Sequence, residues 1–258
     1  MARAESDNAC KAPPQEARSH WADPSIEGDL VDHNRRDRAL ALAGIVFVVL
    51  IVIAAFLPGS PPKPDDSAAK IAKFVVDNGD ELRWAGFVGT LAAIVLLGWT
   101  GAVWRLMRGA EGGSPLLAVG AALGAVFAAA LFTVAGVIMS VVAIVGVPSI
   151  GAGGTRFFYV LFNSLGGAGG IALALFVGAY STVIIETGVL PRVMGWLGAL
   201  VALVLLVAGG AVASTRDVFF TLGLVGFAGF GLWVLVVSVL MFRGARASTA
   251  APSVVSAS

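Results

Sequence analysis

Long apolar runs separated by short polar breaks dominate the chain. A hydrocarbon layer about 30 Å thick takes about 20 helical residues to cross. Six runs reach that length: Ala39 to Leu57, Trp84 to Met107, Ser114-Pro115 to Val145, Phe157 to Ile185, Val193 to Ala213, and a last run from just after Asp217 to Phe242. Their ends carry helix punctuation. Pro58-Gly59 closes the first run. Ser114-Pro115 predicts an N-cap followed by proline at the first helical position of the third. Gly146 and Pro148 close that run, and Asp217 predicts an N-cap for the sixth. Runs three and four exceed the minimum length, which predicts tilt, protrusion or a break.

These runs do not read as core helices of a soluble bundle, because such helices keep a polar face for water. The charges in the span region are Arg105, Arg108, Glu111, Arg156, Glu186, Arg192, Arg216 and Asp217, and each lies at a run boundary or in a connection. The runs are also too long and continuous for the alternating strands of a barrel. The predicted fold class is therefore all-α: a six-helix transmembrane bundle. Arg35, Arg36 and Arg38 before the first span, with Arg105, Arg108, Arg192, Arg243 and Arg246, favour one side. Lys63, Lys70, Lys73, Arg83, Arg156 and Arg216 take the other. This bias predicts that both the N- and C-termini are cytoplasmic.

Residues 58–83 form the one long connection. Pro58 to Pro64 reads as extended. Asp65-Asp66-Ser67 predicts a cap for a short amphipathic outer helix from Ala68 to Val76, between the first two spans. Ile71, Phe74 and Val75 share its apolar face, Lys70, Lys73 and Asp77 take the other side, and Asn78-Gly79 stops it. Such a helix lies on the outer membrane surface or caps the bundle.

The whole chain has 258 residues, 58% hydrophobic and 13% charged, against about 25% charged in soluble domains. The net charge of +1 leaves no basic footprint for nucleic acid. Residues 1–37 are polar and proline-containing, and predict a disordered cytoplasmic tail. The transmembrane domain spans 38–243, and 244–258 form a second cytoplasmic tail. Cys10, the one cysteine, follows no apolar h-region, so neither a secretory nor a lipoprotein signal is expected. The localisation implied is the cell inner (plasma) membrane, multi-pass.

Candidate chemistry is sparse. Gly167-Ala168-Gly169-Gly170-Ile171-Ala172 has dinucleotide-loop spacing, but it lies inside an apolar run with no strand before it. The glycines read as close helix packing, with Gly120 and Gly124, Gly195 and Gly198, and Gly223, Gly226 and Gly229 as further contacts. The alternative is a local unwinding at Gly166 to Gly170 that lines a cavity. Asn163 stands apart from the span hydroxyls, because its amide must find a partner or water. Asn163, Ser164 and Tyr180 form the candidate polar site, for a ligand or for helix contact. Glu186 and Arg192 predict a cytoplasmic hairpin ion pair. No histidine and no mid-span carboxylate lies in the membrane, which removes HExxH zinc chemistry there and lowers the case for ion coupling. No catalytic, metal or cofactor site is expected.

Several segments resemble a poorly characterised family of six-span bacterial membrane proteins, common in actinobacteria and described as a domain of unknown function. They are the outer stretch Ala68 to Asp80, the connection Arg108 to Gly113, the turn Thr187-Gly188-Val189-Leu190-Pro191-Arg192, then Gly195-Trp196-Leu197-Gly198, and Leu232-Trp233-Val234-Leu235 with Arg243. The resemblance implies the same fold over about residues 38–243 and supplies no catalytic residues.

The function expected first is a non-enzymatic membrane component that acts by binding: a partner subunit, regulator or small-ligand sensor. Its partners are the lipid bilayer and a second copy of itself or another membrane protein. A passive or secondary transporter for a small, weakly polar compound is the first alternative. A membrane enzyme using the outer-loop carboxylates Asp65, Asp66, Asp77, Asp80 or Glu81 is the second.

Overall fold

The computed structural model describes residue 39, residues 42–112 and residues 115–250, the last seven as backbone alone. The expected N-terminal tail, the C-terminal tail beyond 250 and Ser114 lie outside the described residues. Among the described residues the architecture is helical, without strands. The elements are α1 (Leu42–Phe56), α2 (Ala68–Asp77), α3 (Gly79–Glu111), α4 (Leu116–Val145), α5 (Val147–Thr187), α6 (Arg192–Ala208) and α7 (Asp217–Ala250), with a 3₁₀ turn at Gly209–Val212 after α6. Five helices, α3 to α7, are long and apolar enough to cross a membrane, and α1 is a shorter apolar helix. The chain is a multi-helix membrane protein.

From α3 to α7, consecutive helices pack as neighbours, and α5 also touches α2, α3 and α7. It is the most buried span and forms the axis of the bundle. Helix α1 fills the gap between α3 and α7. Gly44 faces Trp99 and Ser238, and the Phe47 ring meets Phe230 edge-on at 5.9 Å. Around this junction Trp99, Phe176, Tyr180, Phe230 and Trp233 are buried together in the main core. Trp99 lies edge-on to both Phe176 (6.1 Å) and Trp233 (6.4 Å). A second, smaller core of Ile71, Val75, Leu82, Met139, Val142 and Tyr159 sits where α2 packs on α3, α4 and α5.

The glycines expected to close helices together divide into two groups. A Cβ on Gly124 would lie 2.8 Å from the Ala172 carbonyl oxygen and 3.0 Å from the Phe176 nitrogen, so α4 and α5 touch backbone to backbone there. One on Gly120 would meet nothing within 4 Å. Gly195 and Gly198 are both contact points, against Ser181 and Trp233 respectively. On α7, Gly226 and Gly229 pack on α6, whereas Gly223 faces open space. Small residues allow such approaches where no large side chain fits.

Helix α5 is continuous through Gly166–Gly170, and its one non-helical residue is Gly151 (φ 75°, ψ 161°). The glycine cluster therefore packs and does not unwind. Gly169 receives the Phe132 ring of α4, and a Cβ on Gly170 would lie 3.6 Å from the Leu205 carbonyl oxygen of α6.

Several ends differ from the sequence expectation. Gly79 opens α3 where the periodicity predicts a stop. Asn78 closes α2 by donating its backbone N–H and its side-chain amide (2.9 Å) to the Phe74 carbonyl, and α3 starts at once with Asp80 and Glu81 in its first turn. Acidic side chains favour that end of a helix. Pro115, expected at the first helical position, is the N-cap of α4, so the helix starts one residue later than predicted. Pro148, expected to follow the third span, falls instead in the first turn of α5, where a missing N–H costs nothing. Asp217 is the first residue of α7.

Candidate functional site

Helix α2 marks one end of the bundle. Its N-cap is Ser67, whose hydroxyl accepts the Lys70 N–H at 3.3 Å, as the run Asp65-Asp66-Ser67 predicts. Ile71 and Val75 are buried and Phe74 is half-buried, with Lys70, Lys73 and Asp77 exposed. The helix caps the bundle, since its apolar face is spent on the second core.

The segment before α2 is a strap laid across this end. Pro62 and Pro64 are buried, although a proline-rich connection of this kind usually runs on the surface. Two long-range bonds hold it. The Tyr159 hydroxyl of α5 donates to the Pro62 carbonyl at 2.5 Å. Lys63 Nζ pairs with Asp217 Oδ2 at 2.6 Å, at the start of α7. Locally, the Lys63 N–H donates to Asp66 Oδ2 at 2.8 Å, and Lys70 pairs with the same oxygen at 2.7 Å. The hydrogen bond and charge of Asp217 raise the Lys63 pKa above its ordinary value. The hydrogen bond from Lys70, then that from the Lys63 N–H, holds the Asp66 carboxyl below the usual carboxylate value.

A small recess of about 20 Å³ opens beside the strap, between α5 and the turn that joins α6 to α7. Its polar lining is Asn163, Ser164, Ser214, Thr215 and Arg216. Pro64, Val160, Ala211 and Phe220 supply the apolar part. The recess exists because α6 ends early. After Ala208 the chain tightens into the 3₁₀ turn and then turns outward through Ser214, whose hydroxyl accepts the Arg216 N–H at 3.3 Å. Helix α5 continues past this level, so one wall outlasts the other. Directly below, on the same face of α5, the seam is shut. A Cβ on Gly167 would lie 3.0 Å from Ala211 Cβ and 3.3 Å from the Val212 nitrogen, and Gly209 packs under Ile171. The recess is blind on this seam.

Of the three residues of the candidate polar site, the structure brings two together. Asn163 and Ser164 line the recess. The Asn163 amide donates to the Tyr159 carbonyl one turn back, at 2.8 Å. Tyr180 lies about 25 Å further along α5, at 1.5 Å of rise per residue. It is fully buried among Phe176 and Trp233, and its hydroxyl donates to the Val103 carbonyl at 3.3 Å. Glu186 and Arg192 flank the turn at the opposite end. Both are exposed, and neither takes part in the four ion pairs found among the described residues. An exposed pair there would gain little over two solvated charges.

The outer-loop carboxylates do not converge. Asp66 pairs with Lys70, Asp77 with Lys73 and Asp80 with Arg83, each within one helical turn or its cap. Among the described residues no group of three His, Cys, Asp or Glu side chains is placed to hold a metal. Ser214, Thr215 and Arg216 escape sequence reasoning because they belong to the short break between two apolar runs. The signal available was Asn163 standing one turn from Tyr159, which marks a polar edge on a helix that is otherwise apolar.

No protein-family model, curated protein or solved structure matches the chain.

Proposed function

We propose that this chain is a six-span protein of the plasma membrane, with both termini cytoplasmic, that acts by binding and not by catalysis. Helix α1 supplies the sixth span. The end carrying α2 faces outward, and the recess beside Asn163 is its ligand-facing surface. The fold belongs, on this reading, with the six-span bacterial proteins that its turn and packing motifs resemble.

The observation that carries the reading is the blind recess. A polar pocket opens at one end of the bundle, and the glycine seam beneath it is closed at backbone contact distance. Further along, the aromatic core around Trp99, Tyr180 and Trp233 is filled. That arrangement suits a receptor or sensor, which must register a ligand without passing it on. A carrier would need a route beside α5, and the seam offers none. Orientation rests on the sequence bias of the arginines before α1, together with Arg105, Arg108, Arg192 and Arg243; the last four lie at the end opposite α2.

Cysteine labelling in a Cys10→Ser background tests the topology. Thr215→Cys should react with an impermeant maleimide on intact cells, and Val189→Cys only after permeabilisation. The reverse pattern overturns the assignment. Proteoliposomes test the mode of action: a solute that binds the purified protein should not cross the vesicle wall faster than through empty vesicles. Saturable flux of such a solute, abolished by Asn163→Leu, would replace the binding reading with transport.

A further inference from the structure

The chemistry of the recess narrows what it would hold. Every polar side chain in its lining can donate a hydrogen bond, and none is a carboxylate. Arg216 is exposed at its rim and takes part in none of the ion pairs among the described residues. Its guanidinium carries five N–H donors and stays charged at any physiological pH. The Ser214 hydroxyl accepts from the Arg216 backbone, so its own O–H is free to point elsewhere. The Asn163 amide spends one N–H on the Tyr159 carbonyl and has a second. Ser164 and Thr215 add hydroxyls.

The acid that follows Arg216 in the chain, Asp217, is paired. Its Oδ2 is neutralised by Lys63. With Asp65, Asp66 and Lys70 counted the charges at this end balance, and Arg216 is the cation among Lys63, Lys70 and Arg216 that takes part in no ion pair among the described residues. The recess itself is about 20 Å³, room for about one water-sized group, so a ligand would place a single oxygen inside it and rest on its rim. Charge-assisted bonds from arginine to a planar or tetrahedral oxyanion are about twice as strong as neutral ones. Val160, Ala211 and Phe220 offer a short apolar stem somewhere to rest.

We propose that the recess binds a small oxyanion, a carboxylate or phosphate on a short or absent apolar stem, with Arg216 as the charge partner and Asn163 with the hydroxyls as supporting donors. The inference rests on the outward-facing recess proposed above. The oxyanion is either a free solute or the headgroup of an anionic lipid, and the two sources are separable.

The test uses the full chain purified in detergent at fixed ionic strength, with thermal stabilisation as the readout. The probes are inorganic phosphate, propionate and the isosteric neutral propionamide. Phosphate or propionate should stabilise the protein saturably while propionamide does not. Arg216→Gln should weaken that response at least tenfold, Arg216→Lys should retain part of it, and Arg156→Gln, a cation outside the recess, should leave it unchanged. For the lipid arm, nanodiscs of phosphatidylglycerol or phosphatidylcholine are compared by native mass spectrometry. Retention of phosphatidylglycerol by wild type but not by Arg216→Gln identifies the headgroup as the source. Propionamide acting as well as propionate would overturn the oxyanion assignment while leaving the binding reading intact. No saturable response in any arm, or an equal response in Arg216→Gln, overturns it as well.

Discussion

The Tyr159 hydroxyl reaches across 97 positions of sequence to the Pro62 carbonyl at 2.5 Å, and this bond fixes the strap to the central helix. Pro62 is buried, so its carbonyl has little access to water. Tyr159→Phe keeps the ring in the second core and deletes only the donor. The expected cost is about 1–3 kcal/mol, because a buried acceptor is left unpaired. The strap should loosen while the helices stay. Hydrogen exchange of the amides from Ser60 to Asp66 checks this: protection should fall there and hold in α5. Unchanged protection across the strap would mean that the Lys63–Asp217 pair alone holds it.

The contrast between Gly120 and Gly124 gives a paired prediction. Both lie on α4 one turn apart, and only Gly124 abuts another backbone. Gly124→Ala forces α4 and α5 apart or strains the contact, an overpacking cost of about 1–3 kcal/mol. Gly120→Ala places its methyl in open space and gains about 1 kcal/mol of helix propensity. Thermal unfolding in detergent should therefore move the two variants in opposite directions. A lower melting temperature for both would show that Gly120 also lies at a contact between copies of the chain.

How far the sequence could be read follows the same logic. Apolar runs and charge placement reveal the helices, because the membrane imposes one rule on every span: charged groups stay out of hydrocarbon. The cap at Ser67 and the apolar face of α2 are local patterns and were legible too. Helix ends were less so. Gly79 looks like a stop, yet Asn78 finishes one helix and lets the next begin. Which glycine of a spaced pair makes contact depends on helix rotation, which periodicity does not supply. Asn163 stood out by chemistry, but its neighbours come from the turn after α6, some 50 positions away. Tyr180 looked like a companion on the same helix. Its depth along α5 places it in the aromatic core instead.

The strap also carries a pH signature. Lys63 has its pKa raised by Asp217, so its contribution is complete below the ordinary lysine value and is lost as pH rises through the folded value. Asp66 has its pKa lowered by Lys70 and the Lys63 N–H. Its contribution is present above the ordinary carboxylate value and is lost as pH falls through the folded one. Lys63 is exposed and Asp66 half-buried at the surface, so the effects are modest and weaken in high salt. A nitroxide on Ser60→Cys, in a Cys10→Ser background, should report constant mobility from about pH 5 to about pH 9. Mobility should increase beyond either limit. In Asp217→Asn the alkaline increase should disappear and the acidic one persist. An alkaline transition that survives in Asp217→Asn would assign it to some other group.

The opposite end of the bundle has its own tether. Glu111, the last residue of α3, accepts the Ala118 N–H of α4 through Oε1 at 3.0 Å. Ala118 is fully buried in the first turn of α4, where an N–H has no partner within its own helix. Pro115 at the N-cap has no side-chain oxygen to supply one. The carboxylate of the preceding helix takes over the work of an N-cap, and its negative charge suits the start of α4. Glu111→Ala should therefore cost about 0.5–2 kcal/mol, the range for losing a cap. Glu111→Gln retains an acceptor oxygen and gives up only the charge, about 0.3–1 kcal/mol. Hydrogen exchange at Leu117 and Ala118 separates the two: fast in Glu111→Ala and near wild type in Glu111→Gln. If both variants exchange alike, the charge and not the hydrogen bond anchors the start of α4.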